Sequence, residues 1–162
     1  MKKNTILILA IFFLLNSSGL LGQSHNLMPQ PQNITWGKSN FQITGAKILV
    51  SPDLLSREQN SITQFTDFVR QTTGVSISIT YSDDHQGRLI ILNSEQAGQA
   101  LPLPNEKPGS QSRESYKISV TPARVQVNTK SDAGLFYSLQ TLRQLIVNDQ
   151  NKSYIPEVEI DD

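Results

Sequence analysis

The chain has 162 residues, no cysteine, and 14 basic against 14 acidic side chains. That length can bury one core. The missing cysteines exclude a disulfide framework, a thiolate nucleophile and lipoprotein-type acylation, and the neutral balance gives no electrostatic basis for binding nucleic acid or an anionic membrane.

Lys2 and Lys3 precede an uninterrupted apolar run from Ile6 to Leu15, followed by the small and polar stretch Asn16-Ser17-Ser18-Gly19 and then Leu20-Leu21-Gly22. This is the three-part layout of a secretory signal peptide. The run is shorter than the roughly 20 apolar residues that span a bilayer. We therefore expect residues 1–22 to be a leader removed after Gly22, leaving an exported domain over 23–162 with no membrane contact; the alternative is that the run is retained as an N-terminal anchor. The leader's style is bacterial, which points to the periplasm or the medium. Removing Lys2 and Lys3 takes the net charge from zero to −2.

Leu27-Met28-Pro29-Gln30-Pro31-Gln32 reads as an extended lead-in, because two prolines disfavour a helix. Short strands are predicted over Ile34–Trp36, Phe41–Ile43 and Lys47–Val50, separated by Gly37 and Gly45. Between Ser56 and Thr73, Ile62, Phe65, Phe68 and Val69 follow helical spacing over an arc of about 120°. Gly74 is a suitable C-cap, and this helix should lie half-buried on a sheet.

Val75, Ile77, Ile79 and Tyr81 alternate with Ser76, Ser78 and Thr80, the period of a strand with one wet face. Arg88–Asn93 carries Leu89, Ile90, Ile91 and Leu92 in a row and reads as a central strand covered on both faces. Ser94–Glu114, with Pro102, Pro104, Pro108 and Gly109, reads as a long loop. Tyr116, Ile118 and Val120, then Val125 and Val127, alternate with polar residues on either side of Pro122, as in a β-hairpin. Ser131 is an N-cap for a second helix running to about Val147. Its apolar residues, Leu135, Phe136, Leu139, Leu142, Leu145, Ile146 and Val147, spread over about 200°, more than one sheet contact requires. Arg143 projects inside that arc and must either snorkel to water along its own stem or find a partner, across to another domain if this helix is covered on a second side.

The polar clusters do not assemble a catalytic set. Asp83-Asp84-His85 could bind a metal or move protons, but it falls with Gly87 between two strands, where Asp and Gly make turns. His25 lies at the start of the mature chain, where an ordered ligand set is not expected. Asp161-Asp162 is a carboxylate pair only on paper, since a free chain end would not hold it in fixed geometry. No Gly-x-Ser-x-Gly, Walker, Rossmann or His-Glu-x-x-His pattern occurs. Tyr81 and Tyr116 fall on the apolar phase of their strands. Trp36 and Tyr154 are less committed to the core, but two scattered aromatics do not make a sugar platform. No catalytic, substrate-binding or metal residue and no cofactor is assigned. Arg143 is the one candidate, for an interdomain interface.

Three segments in order, Glu114-Ser115-Tyr116-Lys117-Ile118-Ser119-Val120, then Ala133-Gly134-Leu135-Phe136-Tyr137-Ser138-Leu139-Gln140-Thr141-Leu142-Arg143-Gln144-Leu145, then Ile155-Pro156 with its acidic close, resemble the N-terminal non-catalytic domain of family-20 glycoside hydrolases, the β-N-acetylhexosaminidases. Met28-Pro29-Gln30-Pro31-Gln32 is similar to that domain's opening. The resemblance implies an α+β fold, a two-layer structure with an antiparallel or mixed sheet and two helices packed on one face. It also implies a (β/α)8 barrel in cis that carries the chemistry and all glycan contact. There an Asp-Glu pair polarises the substrate's 2-acetamido group for attack on the anomeric carbon and protonates the leaving oxygen. A barrel takes about 250 residues, so this chain is expected to be inactive alone. The alternatives are a stand-alone carbohydrate- or protein-interaction module, or the accessory domain of another glycosidase such as an α-glucuronidase or a family-84 hexosaminidase.

Overall fold

The computed structural model describes residues 26–83, 87–96, 104–107, 109, 112–149 and 152–162. Among these residues, eight strands and two helices follow in the order β1 (Asn33–Gln42), β2 (Lys47–Leu49), α1 (Pro52–Thr73), β3 (Ser78–Thr80), β4 (Leu89–Gln96), β5 (Tyr116–Val120), β6 (Arg124–Ser131), α2 (Asp132–Leu145), β7 (Val147–Asp149) and β8 (Lys152–Asp161). The strands form one mixed sheet in the order β1-β8-β5-β6-β4-β2-β3, with β7 pairing on β8. The pairs β3–β2, β2–β4 and β4–β6 are parallel, while β6–β5, β5–β8 and β8–β1 are antiparallel.

Both helices lie on one face. Ile90, Leu92, Ile118, Val120, Val125 and Val127 from the sheet join Ile62, Phe65 and Val69 of α1 and Leu135, Leu139, Leu142 and Leu145 of α2 in a single buried core. The expected α+β architecture of one sheet with two helices on one face is therefore present. The other sheet face is polar apart from Leu89 and Ile91 at the start of β4, and carries cross-strand pairs such as Lys117 Nζ to Asp161 Oδ2 at 2.8 Å and Lys130 Nζ to Glu95 Oε2 at 2.9 Å.

Several elements differ from their sequence reading for local reasons. Helix α1 starts at Pro52, not Ser56, because the Ser51 side chain accepts the Leu54 N–H at 3.2 Å and Pro52 occupies the first turn, a strong start signal even without apolar periodicity. A kink at Glu58 joins this first piece to the periodic part, and Gly74 closes the helix at φ 74°. Helix α2 stops at Leu145. Ile146 is extended and Val147 opens β7, so the apolar run past Leu145 changes from helical to strand spacing, as β-branched residues favour. Tyr81 lies past the end of β3 and is 61% exposed rather than in the core, and Ile79 on this edge strand is also exposed. Central strand β4 is covered on both faces only at its start: Leu89 and Ile90 are buried, Ile91 is half-buried, and Asn93 and Glu95 are exposed.

Strand β8 fell outside the sequence reading, and the two short strands expected at Ile34–Trp36 and Phe41–Ile43 are one strand, β1. Strand β8 sits inside the sheet between β1 and β5 despite Pro156. Strand β1 runs unbroken through Gly37 with a bulge between Trp36 and Asn40, four steps on β1 against two on β8. Pro156, which has no N–H to give, faces Asn40 at that bulge. Beside it, the Glu157 carboxylate accepts the Lys38 and Ser39 N–H groups at 3.0 and 2.9 Å. The bulge changes the inward phase of both strands: Ile34 and Phe41 both pack on the core although their positions have opposite parity, as do Ile155 and Val158. A one-residue shift of phase reverses which side chains face the core, and Glu157 marks where this happens.

Candidate interdomain surface

Helix α2 is built to be seated firmly. Its N-cap Ser131 accepts the Ala133 N–H at 3.2 Å and donates its hydroxyl to the Arg113 carbonyl at 2.7 Å. Asp132, in the first turn where a carboxylate complements the helix dipole, pairs with Arg57 of α1. That contact holds the Arg57 guanidinium pKa above its ordinary value, hydrogen bonding to Asp132 outweighing the loss of hydration. Gly134 brings the helix against the start of β5: a Cβ there would lie 2.6 Å from the Ser115 carbonyl oxygen. Leu135, Leu139, Leu142 and Leu145 are each at most 1% exposed, and burial of a leucine contributes on the order of 1.5–3 kcal/mol. Between them the Thr141 hydroxyl pairs with the Tyr116 hydroxyl at 2.8 Å. Burial first of all pushes the Tyr116 pKa up to about 12.

The outward side of the same helix carries Phe136 and Tyr137, 41% and 39% exposed, with Gln140, Arg143 and Gln144 below them. Arg143 is half-buried. Its guanidinium carbon lies 4.4 Å from the Phe68 ring centre of α1, and its Nη1 donates to Gln140 Oε1 at 3.0 Å. The charge thus has an aromatic face and an amide within the domain, and the ring quadrupole attracts it. Gln144 binds the lead-in segment: its Oε1 accepts the Met28 N–H at 2.8 Å and its Nε2 donates to the Met28 carbonyl at 2.9 Å. A cleft of ≈180 Å³ opens between Pro29, Tyr137, Gln140 and Asp162.

Of the other sequence candidates, those among the described residues have separate partners. Asp83 pairs with Arg124, its Oδ2 2.9 Å from Nη1, while Asp84, His85 and His25 lie outside the described residues. Asp161 and Asp162 are held by the strand end, contrary to a free tail, but they serve different partners: Asp161 binds Lys117, and Asp162 Oδ1 accepts the Gln32 N–H at 3.0 Å. Trp36 and Tyr154 sit at separate points of the β1–β8 ladder. Among the described residues, no group of three or more His, Asp or Glu is placed to hold a metal ion. Sequence reasoning missed Phe68 as the partner of Arg143 and Gln144 as the partner of Met28. Both contacts join residues far apart in the chain, and no local pattern announces them.

The helix, its buried stripe and its exposed aromatic side coincide with the segment whose wording suggested a relationship, and a family comparison decides the matter: residues 24–162 match glycosyl hydrolase family 20, domain 2. The chain belongs to glycosyl hydrolase family 20. Within that family it corresponds to the non-catalytic domain, and the catalytic barrel is not in this sequence. Solved family-20 structures superpose on it. Flavobacterium johnsoniae chitobiase matches with a TM-score of 0.62 and 29% identity, over 85% of this chain and 20% of that one. Streptomyces plicatus N-acetyl-β-hexosaminidase matches with a TM-score of 0.59 and 25% identity, over 83% of this chain and 25% of that one. The Bacteroides fragilis β-N-acetylhexosaminidase shares the fold, with a TM-score of 0.58 and 22% identity over 85% of this chain and 24% of that one. The chain thus spans about a fifth to a quarter of the length of these family-20 proteins.

Proposed function

We propose that this chain is the non-catalytic N-terminal domain of an exported bacterial β-N-acetylhexosaminidase that removes terminal N-acetyl-hexosamine residues from glycans. The observation that carries the proposal is the match to family 20, domain 2 over residues 24–162, joined to the short share of each relative that the chain spans. Catalysis then belongs to a (β/α)8 barrel following in cis, by substrate-assisted retaining chemistry in which the 2-acetamido group is the nucleophile. The domain contributes no catalytic, substrate-binding or metal residue. Its glycan contact runs only through the barrel.

The domain's contribution is a rigid seat. Exposed Phe136 and Tyr137, with Arg143 beside them, form the side of α2 that a barrel would cover, and an exposed apolar patch of this kind marks an interaction surface. The leader over residues 1–22 delivers the protein to the periplasm or the medium, and the mature domain makes no membrane contact. Reading the coding sequence beyond Asp162 tests the proposal. An in-frame continuation into Arg-Phe-x-x-Arg-Gly, followed by an Asp-Glu pair, is expected. A stop followed by unrelated sequence contradicts it and favours a stand-alone interaction module.

A further inference from the structure

The lead-in segment is tied at three points. Leu27 is buried in the core, the Met28 peptide is gripped at both its N–H and its carbonyl by Gln144 at the end of α2, and the Gln32 N–H binds Asp162 Oδ1 at the end of β8. Asp162 is in turn held by backbone hydrogen bonds in both directions with Tyr116 of β5, at 3.0 and 2.9 Å. The segment therefore crosses from the last turn of α2 to Asp162, one residue past β8, along the cleft that Pro29, Tyr137, Gln140 and Asp162 line. The Tyr116 pairing simply continues the ladder. The side-chain bond to Gln32 is a separate tie that adds the lead-in to the contacts holding Asp162.

We infer that residues 27–32 are a clamp that fixes the direction of the chain at Asp162. The inference rests on the reading that a catalytic domain follows. In such a protein the orientation of that domain over Phe136 and Tyr137 is set by the first residues past Asp162, and strand ends fray unless tied. Asp162 and Gln144 are then positioning residues, acting through the lead-in and not on substrate.

The test uses the longer enzyme that contains this domain, with Asp162→Ala, Asp162→Asn and Gln144→Ala variants under brief digestion by a nonspecific protease. Cleavage of a locally opened segment tracks the population of its open form. Loss of one hydrogen bond of ordinary strength should raise cleavage just beyond residue 162 about fivefold in Asp162→Ala, and Gln144→Ala should raise it in the same direction. Asp162→Asn keeps an acceptor for the Gln32 N–H and should cut at the wild-type rate. Cleavage within residues 33–149 should stay unchanged in all three, which separates loss of the clamp from unfolding of the domain. Wild-type junction cleavage in Asp162→Ala, or an equal rise in Asp162→Ala and Asp162→Asn, would overturn the inference. Hydrolysis of a chromogenic N-acetylglucosaminide by the wild-type longer protein is recorded in parallel. Its absence would sink the functional reading, while the cleavage rates would still decide on the clamp.

Discussion

Arg143 of α2 rests on the face of Phe68 of α1, guanidinium carbon to ring centre 4.4 Å. The contact links the two helices, as the Arg57–Asp132 pair does at the start of α2. An arginine set within an apolar arc thereby avoids an unpaired charge without a carboxylate.

A double-mutant cycle with Arg143→Ala and Phe68→Leu, measured by urea unfolding, should give a coupling of about 0.5–1 kcal/mol, as for a partly exposed cation–π pair. Arg143→Ala should cost more in a barrel-containing protein than in residues 1–162 alone, because only there is the second side of α2 covered. Equal effects in both would remove the interface from the account and leave Arg143 as a helix–helix contact.

Gly134→Ala sets helix propensity against space. Alanine is favoured in a helix interior by about 1 kcal/mol, yet its Cβ would meet the Ser115 carbonyl oxygen at 2.6 Å and the Thr129 Cβ at 3.2 Å. Backbone at one contact leaves no flexible group to yield, and overpacking typically costs about 1–3 kcal/mol. The substitution should lower the urea midpoint. An unchanged or raised midpoint would show that α2 is not seated as closely as described.

Tyr116 gives the domain an alkaline limit. Its folded pKa, raised by burial to about 12 from 10.0, lies above the unfolded value, so its contribution is fully present below pH 10 and is lost as pH rises through the folded value. Stability measured by chemical denaturation should fall across that window, and Tyr116→Phe should remove this part of the fall. A Tyr116→Phe curve parallel to wild type between pH 10 and 12 would contradict the assignment.

Glu157 acts at the acid end with the opposite sign. Hydrogen bonds from the Ser39 and Lys38 N–H groups lower its pKa in the folded state. Its contribution is therefore present above the unfolded pKa and is lost as pH falls through the lower folded value. Glu157→Gln should flatten the acid limb of the stability profile while leaving Tyr116's alkaline limb intact. An acid limb identical to wild type would show that the carboxylate's charge does not hold the β1 bulge.

These residues also show what the sequence could and could not disclose. The alternation of Tyr116, Ile118 and Val120 with polar neighbours, the caps at Ser131 and Gly74, and the central apolar strand at Leu89 are local signals, and each has its counterpart in the fold. Strand β8 was hidden by Pro156, which ordinarily argues against an interior strand. Its acceptability depends on the β1 bulge, whose support, Glu157, lies more than 110 residues away in the chain. The end of α2 was obscured because Ile146 and Val147 extend an apolar helical arc just where the backbone turns extended. Of the surface, Arg143 was legible as a charge within an apolar arc. Its partner Phe68 and the Met28–Gln144 tie depend on how the two helices and the lead-in come together, which pairwise spacing does not encode.

The most direct test of the account compares hydrolysis of a chromogenic N-acetylglucosaminide by purified residues 23–162 and by the product of the open reading frame extended beyond Asp162. The account predicts no turnover by the short chain and turnover by the extended one. Turnover by residues 23–162 alone would contradict it.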